Sequence, residues 1–311
     1  MVLGLREGRE PSADAEWRRI GRVKLWLFGV LIGKMEGIIR ASVCFVADAV
    51  LSNCVSSVSR STAHCMPVRD SEAIVLRTYP LGEGDRLVSF FSRAEGRLRG
   101  VARGARKPKG RFGASLEPLS HVRIRFYERE TRDLVRISQC ELIDSFWDAQ
   151  CSYNVSLAFA FLAEVVEGVL PDREASDPVF RLLLVTCRTM GQGGLIALPI
   201  SYFTIWMLRL GGWLPSLDYC SACRRNLAGQ ALWAASSWSE IFCGACRPRD
   251  AVLVSSNAAT AARSMLRESL EVIAGKGVMK VPAELTNELM DVIERHMEKK
   301  SVVRLTLELA P

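Results

Sequence analysis

The chain has 311 residues, 49% of them hydrophobic, with 41 Lys and Arg against 34 Asp and Glu and a net charge of +7. That length holds two domains with real cores, and the mixed composition excludes a fibrous or disordered chain. Ten cysteines at this length do not describe a small secreted disulfide scaffold; they suit a reducing cytoplasm, and the positive balance asks for an anionic partner.

Residues 1–65 read unlike the remainder. Residues 7–19 are polar and charged, 52–61 are serine-rich, and no period of 3.6 or 2 is sustained. The long, mixed-sign charged run before the apolar stretch excludes a signal peptide, and Glu7, Glu10, Asp14 and Glu16 argue against a transit peptide. The organised pattern begins just after Met66, where translation is expected to start. Three apolar stretches bear on a membrane. Residues 25–32 are too short to span, 43–58 are broken by Asp48, and 195–214 contain Pro199 and Arg209. The last reads as a buried helix of a soluble domain, so no membrane partner is expected.

From Glu72 the pattern switches to period 2. Residues 73–79, 86–91, 96–102, 121–127 and 134–138 read as five short strands separated by Gly- and Pro-rich turns. Five such strands in so short a stretch predict a small barrel, of which the OB-fold is the commonest form. In the fourth strand Val122, Ile124 and Phe126 point one way and Arg123 and Arg125 the other. In the third, Arg97 and Arg99 share a face opposite Leu98; in the fifth, Arg136 opposes Val135 and Ile137.

Between the third and fourth strands lies loop 103–113, which carries Arg103, Arg106, Lys107, Lys109 and Arg111 and no acidic residue. Residues 69–139 hold sixteen Lys and Arg against nine Asp and Glu, the same +7 as the whole chain. Charge concentrated on one small β-domain is the electrostatic footprint of nucleic-acid binding. The loop alone reads equally well as a solvated surface turn; the arginine-faced strands beside it favour phosphate contact. Phe112, at the end of the loop, either stacks on a base or anchors the loop to the barrel, with the anchor favoured. No residue of this domain suggests base-specific readout, so binding by charge and stacking should be indifferent to sequence and weakened by salt.

After Cys151 the period becomes 3.6. Val155, Ala158, Phe159, Leu162, Val166 and Val169 fall on one helix face with Glu164 opposite, and Pro171 ends the helix. Further helices are expected near 177–190, with Ser176 as cap and Pro178 in the first turn, and near 195–210, 258–273 and 283–299. Within this region Cys220 and Cys223, then Cys243 and Cys246, form two C-x2-C pairs separated by nineteen residues. Each pair makes a turn that presents two thiolates, and two such turns complete a tetrahedral zinc site. Two disulfides or four unrelated buried thiols are the alternative, and paired turns at this separation favour the metal. Four thiolates leave no open position for water, so one structural Zn2+ is expected rather than a catalytic one. The segment around the quartet is too short for its own core, so zinc is expected to supply its fold. Arg224, Arg225, Arg247 and Arg249 flank the ligands and balance their charge first, with DNA contact second.

Residues 72–79, then 81–85, then 100–112, followed by 116–119 and the late cysteine quartet, resemble the RecO family of bacterial DNA repair proteins, the recombination mediators. The resemblance runs from about Met66 to Leu307. It implies an α+β chain: residues 66–145 as a nucleic-acid-binding OB-fold, and 146–311 as a helical domain with a zinc-binding insertion at 215–250. It also implies binding to single- and double-stranded DNA and annealing of complementary strands. The implied partners are RecR and the C-terminal tail of single-strand binding protein, with RecA loading at gaps as the outcome, in the cytoplasm at the nucleoid. No short motif marks the RecR or tail contacts. By residues alone, an RNA-binding OB protein of translation or RNA processing is the alternative. An enzyme fares poorly: the only histidines are His64, His121 and His296, none near the quartet in sequence, and no Gly-rich phosphate loop occurs.

Overall fold

Period-2 patterning needs a surface that is apolar on one side, and a closed sheet supplies it. The structure, a computed structural model, describes residues 68–107, 110–128, 133–193, 196–277 and 279–301. The expectations for residues 1–65, including the start at Met66, lie outside them. Strands β1 (Val68–Leu81), β2 (Asp85–Ser92), β3 (Gly96–Ala102), β4 (His121–Tyr127) and β5 (Leu134–Asp144) close into a barrel in the order β1-β2-β3-β5-β4. The β3–β5 pair is parallel and the others antiparallel. This is the predicted five-stranded OB-type barrel.

Strand β1 runs longer than its alternation suggested because residues 68–74 pair with β4 and residues 73–81 with β2, and a bulge lies within it. Its register shifts between Val75 and Arg77, which places one extra residue in the strand. Val75 then faces the barrel core with Phe90, Leu98, Ile124 and Phe126, while Ile74 and Leu76 face outward into the helical core. One strand thereby serves two cores, so its outward face is not polar throughout.

Among the described residues seven helices follow: α1 (Trp147–Gln150), α2 (Tyr153–Val169), α3 (Asp177–Gly191), α4 (Ala197–Leu210), α5 (Ser256–Arg267), α6 (Leu270–Gly275) and α7 (Ala283–His296). Helix α2 ends where Leu170, the residue before Pro171, turns extended. It is buried on more than the predicted stripe, with Phe161, Ala163 and Val165 inside as well. Glu164, expected on the solvent side, is only 5% exposed. Helix α4 is likewise buried nearly all round, and among the described residues no helix is long and apolar enough to cross a membrane. Two local expectations differ. Ser176 makes no side-chain cap bond to α3, while Ser255, not singled out from sequence, caps α5 by accepting from the Ala258 backbone. The helix expected over 258–273 is two, because Glu268 is extended and Leu270 and Ile273 turn back into the core.

Between α4 and α5 the chain forms a small sheet, β6 (Leu232–Ala234), β7 (Ile241–Phe242) and β8 (Val252–Val254), in the order β7-β6-β8. Its inner residues Leu227, Leu232, Ala234, Trp238 and Ile241 belong to the same buried cluster as the helices. The segment therefore shares the helical core instead of depending on a metal alone, which corrects the expectation from its length. Arg263 of α5, buried at 6% exposure, adds a polar staple: Nη2 donates to the carbonyls of Leu217 and Leu227, both at 2.9 Å.

Candidate nucleic-acid interface and metal centre

The barrel sorts its arginines by what stands opposite them. Arg99, Arg103, Arg106, Lys107 and Arg111 are exposed, and none pairs with a described carboxylate. The loop that carries four of them is held at its base. Asp85 accepts from the Gly104 backbone at 2.8 Å, the Arg106 backbone donates to the Gly84 carbonyl at 3.0 Å, and the Arg106 guanidinium donates to the Gly82 carbonyl at 2.9 Å. The β1–β2 turn thus presents the cations of the β3–β4 loop. Lys109 lies outside the described residues. Arg136 joins the set, because the parallel register sets it beside Val101 on the outward face that Arg99 shares. The alternation already put it on an outward face; what was missing was its neighbour.

The other predicted contacts are differently placed. Arg97 turns toward the helical part: Nε lies 2.8 Å from Asp172, and its guanidinium also donates to the Glu167 carbonyl. Its charge is matched, which removes it from the free surface that alternation assigned it to. Arg125 donates to Asp70 at 3.0 and 3.2 Å and to Gln139 at 3.2 Å. Arg123 is exposed, but the strand register flanks it with Glu72 and Glu141. The outward face of β1, β4 and β5 is therefore of mixed sign, and the unmatched charge gathers at β3, β5 and the loop. Phe112 is 3% exposed and packs in the barrel core with Leu116 and Val135. It anchors the loop, and its ring is not offered to a base. Arg111 lies over that ring at 5.2 Å.

The cysteine quartet converges. The four Sγ atoms lie within 4.8 Å of one another, and those of Cys223 and Cys243 are 3.7 Å apart. Sulfurs at the corners of a tetrahedron about 2.3 Å from zinc are separated by about 3.8 Å, so the spacing fits that ion. None of the described cysteines is in a disulfide. The turns are held by backbone bonds, Arg224 N–H to the Cys220 carbonyl at 3.0 Å and Cys246 N–H to the Cys243 carbonyl at 3.1 Å, with Arg224 in the left-handed region at φ 59°. Burial opposes ionisation of Cys220, yet the backbone of Cys223, Cys243 and Ala222 outweighs it and brings the thiol down to about 6. Cys246 is pushed up to about 12 by Cys223 and Cys243 beside it. Four thiolates coexist here only around a cation. Of the flanking arginines, Arg247 lies 4.0 Å over the Trp233 ring.

Residues 66–146 match the family described as Recombination protein O N terminal, and residues 152–305 the family described as Recombination protein O C terminal. A DNA repair protein RecO from Koribacter versatilis (strain Ellin345) is 40% identical over 246 residues, covering 78% of this chain and 98% of that protein. The chain belongs to the RecO family. A RecO protein of Pelotomaculum thermopropionicum is 34% identical over 181 residues, 58% of this chain and 69% of that one. A third, from Syntrophotalea carbinolica, is 33% identical over 176 residues, 57% and 68% of the two chains. The two RecO family matches include the cationic loop and the cysteine quartet.

Proposed function

We propose that this chain is a non-enzymatic DNA-binding mediator of recombinational repair. The observation that carries the reading is the group of exposed, unmatched cations at one end of the barrel, Arg99, Arg103, Arg106, Lys107 and Arg111, in a chain of the RecO family. These residues hold single- and double-stranded DNA by phosphate contact. Two strands brought together repel through their phosphates; cations that replace condensed counterions lower that repulsion and let complementary strands pair. The chain acts with RecR and the C-terminal tail of single-strand binding protein to load RecA at gaps, in the cytoplasm at the nucleoid. The quartet holds one structural zinc ion, and a closed thiolate shell offers water no position for hydrolysis.

A strand-annealing assay with DNA precoated by single-strand binding protein tests activity and partner together. The unsubstituted protein is expected to accelerate annealing. A variant with Arg103→Ala, Arg106→Ala and Lys107→Ala should lose most of that acceleration. The logarithmic salt slope of its single-strand affinity should flatten by about 2, since each phosphate contact contributes about 0.7. Unchanged binding would remove the loop from the interface. Hydrolysis of nucleotide or DNA by the pure protein would overturn the non-enzymatic reading.

A further inference from the structure

The outward face of β1, β2 and β3 meets helix α2, and a cleft of about 280 Å³ opens there, lined by Tyr79, Leu87, Ser89, Arg97, Arg99 and Glu167. That volume is just below the range of about 300–1,000 Å³ typical of small-molecule sites. The strand register sets Tyr79 beside Leu87, and Ser89 beside Arg99. Tyr79 is 47% exposed, a large aromatic on a strand face whose ring contacts no described ring. Glu167 arrives from α2. One carboxylate oxygen accepts from the Ser89 hydroxyl at 2.7 Å, and the other lies 2.9 Å from Arg77 Nε. Each oxygen keeps acceptor capacity beyond its one partner, and the two partners fix the group in place at the cleft wall. Arg97 is held by Asp172, while Arg99 has no carboxylate partner among the described residues.

We propose that this cleft takes one unstacked base of a single-stranded nucleic acid, with preference for a base bearing an exocyclic amino group. Tyr79 supplies the stacking face, Glu167 accepts an amino hydrogen, and Arg99 meets the adjoining phosphate. An aromatic face with a polar edge is how extruded bases are read, and a carboxylate is the acceptor suited to the cytosine amino group. Thymine presents a carbonyl oxygen at that position, which the carboxylate repels. The cleft thus adds a base preference to a surface that otherwise reads only charge. It rests on the reading of the barrel as a DNA-binding surface.

Fluorescence anisotropy on the full chain tests it, with three single strands of equal length: all deoxycytidine, all thymidine, and all abasic. The deoxycytidine strand is expected to bind on the order of tenfold more tightly than the abasic one, with thymidine between. Tyr79→Ala should weaken deoxycytidine binding by a similar factor and leave the abasic strand and duplex DNA unchanged. Glu167→Gln should narrow the gap between deoxycytidine and thymidine. If that variant loosens the fold through Arg77, Tyr79→Ala carries the test, since Tyr79 lies at the surface. Equal affinity for the three strands, or equal weakening of all of them by Tyr79→Ala, would overturn the cleft while leaving charge-driven binding in place. Absence of salt-dependent binding to any strand would overturn the reading beneath it.

Discussion

At the scale of single residues, the same side chain has opposite consequences in neighbouring positions. Arg97 and Arg99 are two apart on one strand face, yet Arg97 meets Asp172 and Arg99 meets solvent. Glu164 and Glu167 are three apart on one helix, yet Glu164 is buried while Glu167 lines an open cleft. The Glu164 carboxylate accepts from the Ser301 hydroxyl at 2.6 Å and pairs with Lys299 at 3.1 Å. Burial raises its pKa, but Ser301 and then Lys299 outweigh burial and leave it below its ordinary value. A carboxyl group held down in the folded state stabilises it above the unfolded pKa, and that contribution disappears as pH falls through the folded value. Glu164→Gln is therefore expected to cost about 1–2 kcal/mol at neutral pH, with the gap to the unsubstituted protein closing as acid protonates the carboxylate. Urea unfolding at neutral and at acid pH measures it; a gap that persisted in acid would mean the carboxylate charge contributes nothing.

At the scale of elements, the cysteine segment shows how a motif and a core divide the work. The two turns converge on a tetrahedral spacing, while Leu232, Ala234, Trp238 and Ile241 pack into the helical core and Arg263 ties the segment to α5. Metal loss should then loosen this part without unfolding the chain. Cys220→Ser is expected to abolish stoichiometric zinc by elemental analysis and to lower Tm by roughly 5–10 °C, a few kcal/mol for a domain of this size. DNA affinity should change by less than about twofold, because the cations assigned to DNA sit on the barrel. Equal loss of stability and of DNA binding would place the ribbon in the binding surface. The strands and most helices were legible from alternation and period, although α2, α4 and β1 are buried on more than one side. The break at Glu268 was not, since the apolar positions continue through it and only packing of Leu270 decides the bend.

At the scale of the molecule, the barrel and the helices form one body through a seam of matched charge and close backbone approach. Arg77 meets Glu167 at 2.9 Å, Arg93 meets Asp177 at 2.6 Å, and Arg188 meets Asp144 at 2.6 Å. At Gly96 the seam becomes backbone against backbone. Its φ is +72°, and a methyl group there would collide with the backbone of Glu174. The Arg173 N–H donates to the Arg97 carbonyl at 3.0 Å in the same place. Gly96→Ala should cost about 2–4 kcal/mol, from left-handed strain plus displacement of this turn, read by guanidinium unfolding. A cost under about 1 kcal/mol would show that the turn yields freely.

Period, spacing and count along the chain were enough for the five-stranded barrel, the helical part after it, the convergent cysteine quartet and the density of positive charge in residues 69–139. Each of these depends on period, spacing or count, which are properties of neighbours along the chain. Only the tertiary fold settled which cations are free, that Phe112 is an anchor, that the cysteine segment shares the helical core, and that Glu167 stands in a cleft beside Tyr79. Each of these depends on residues distant in sequence, and the energy of a charge or a ring is set by what stands across from it in space.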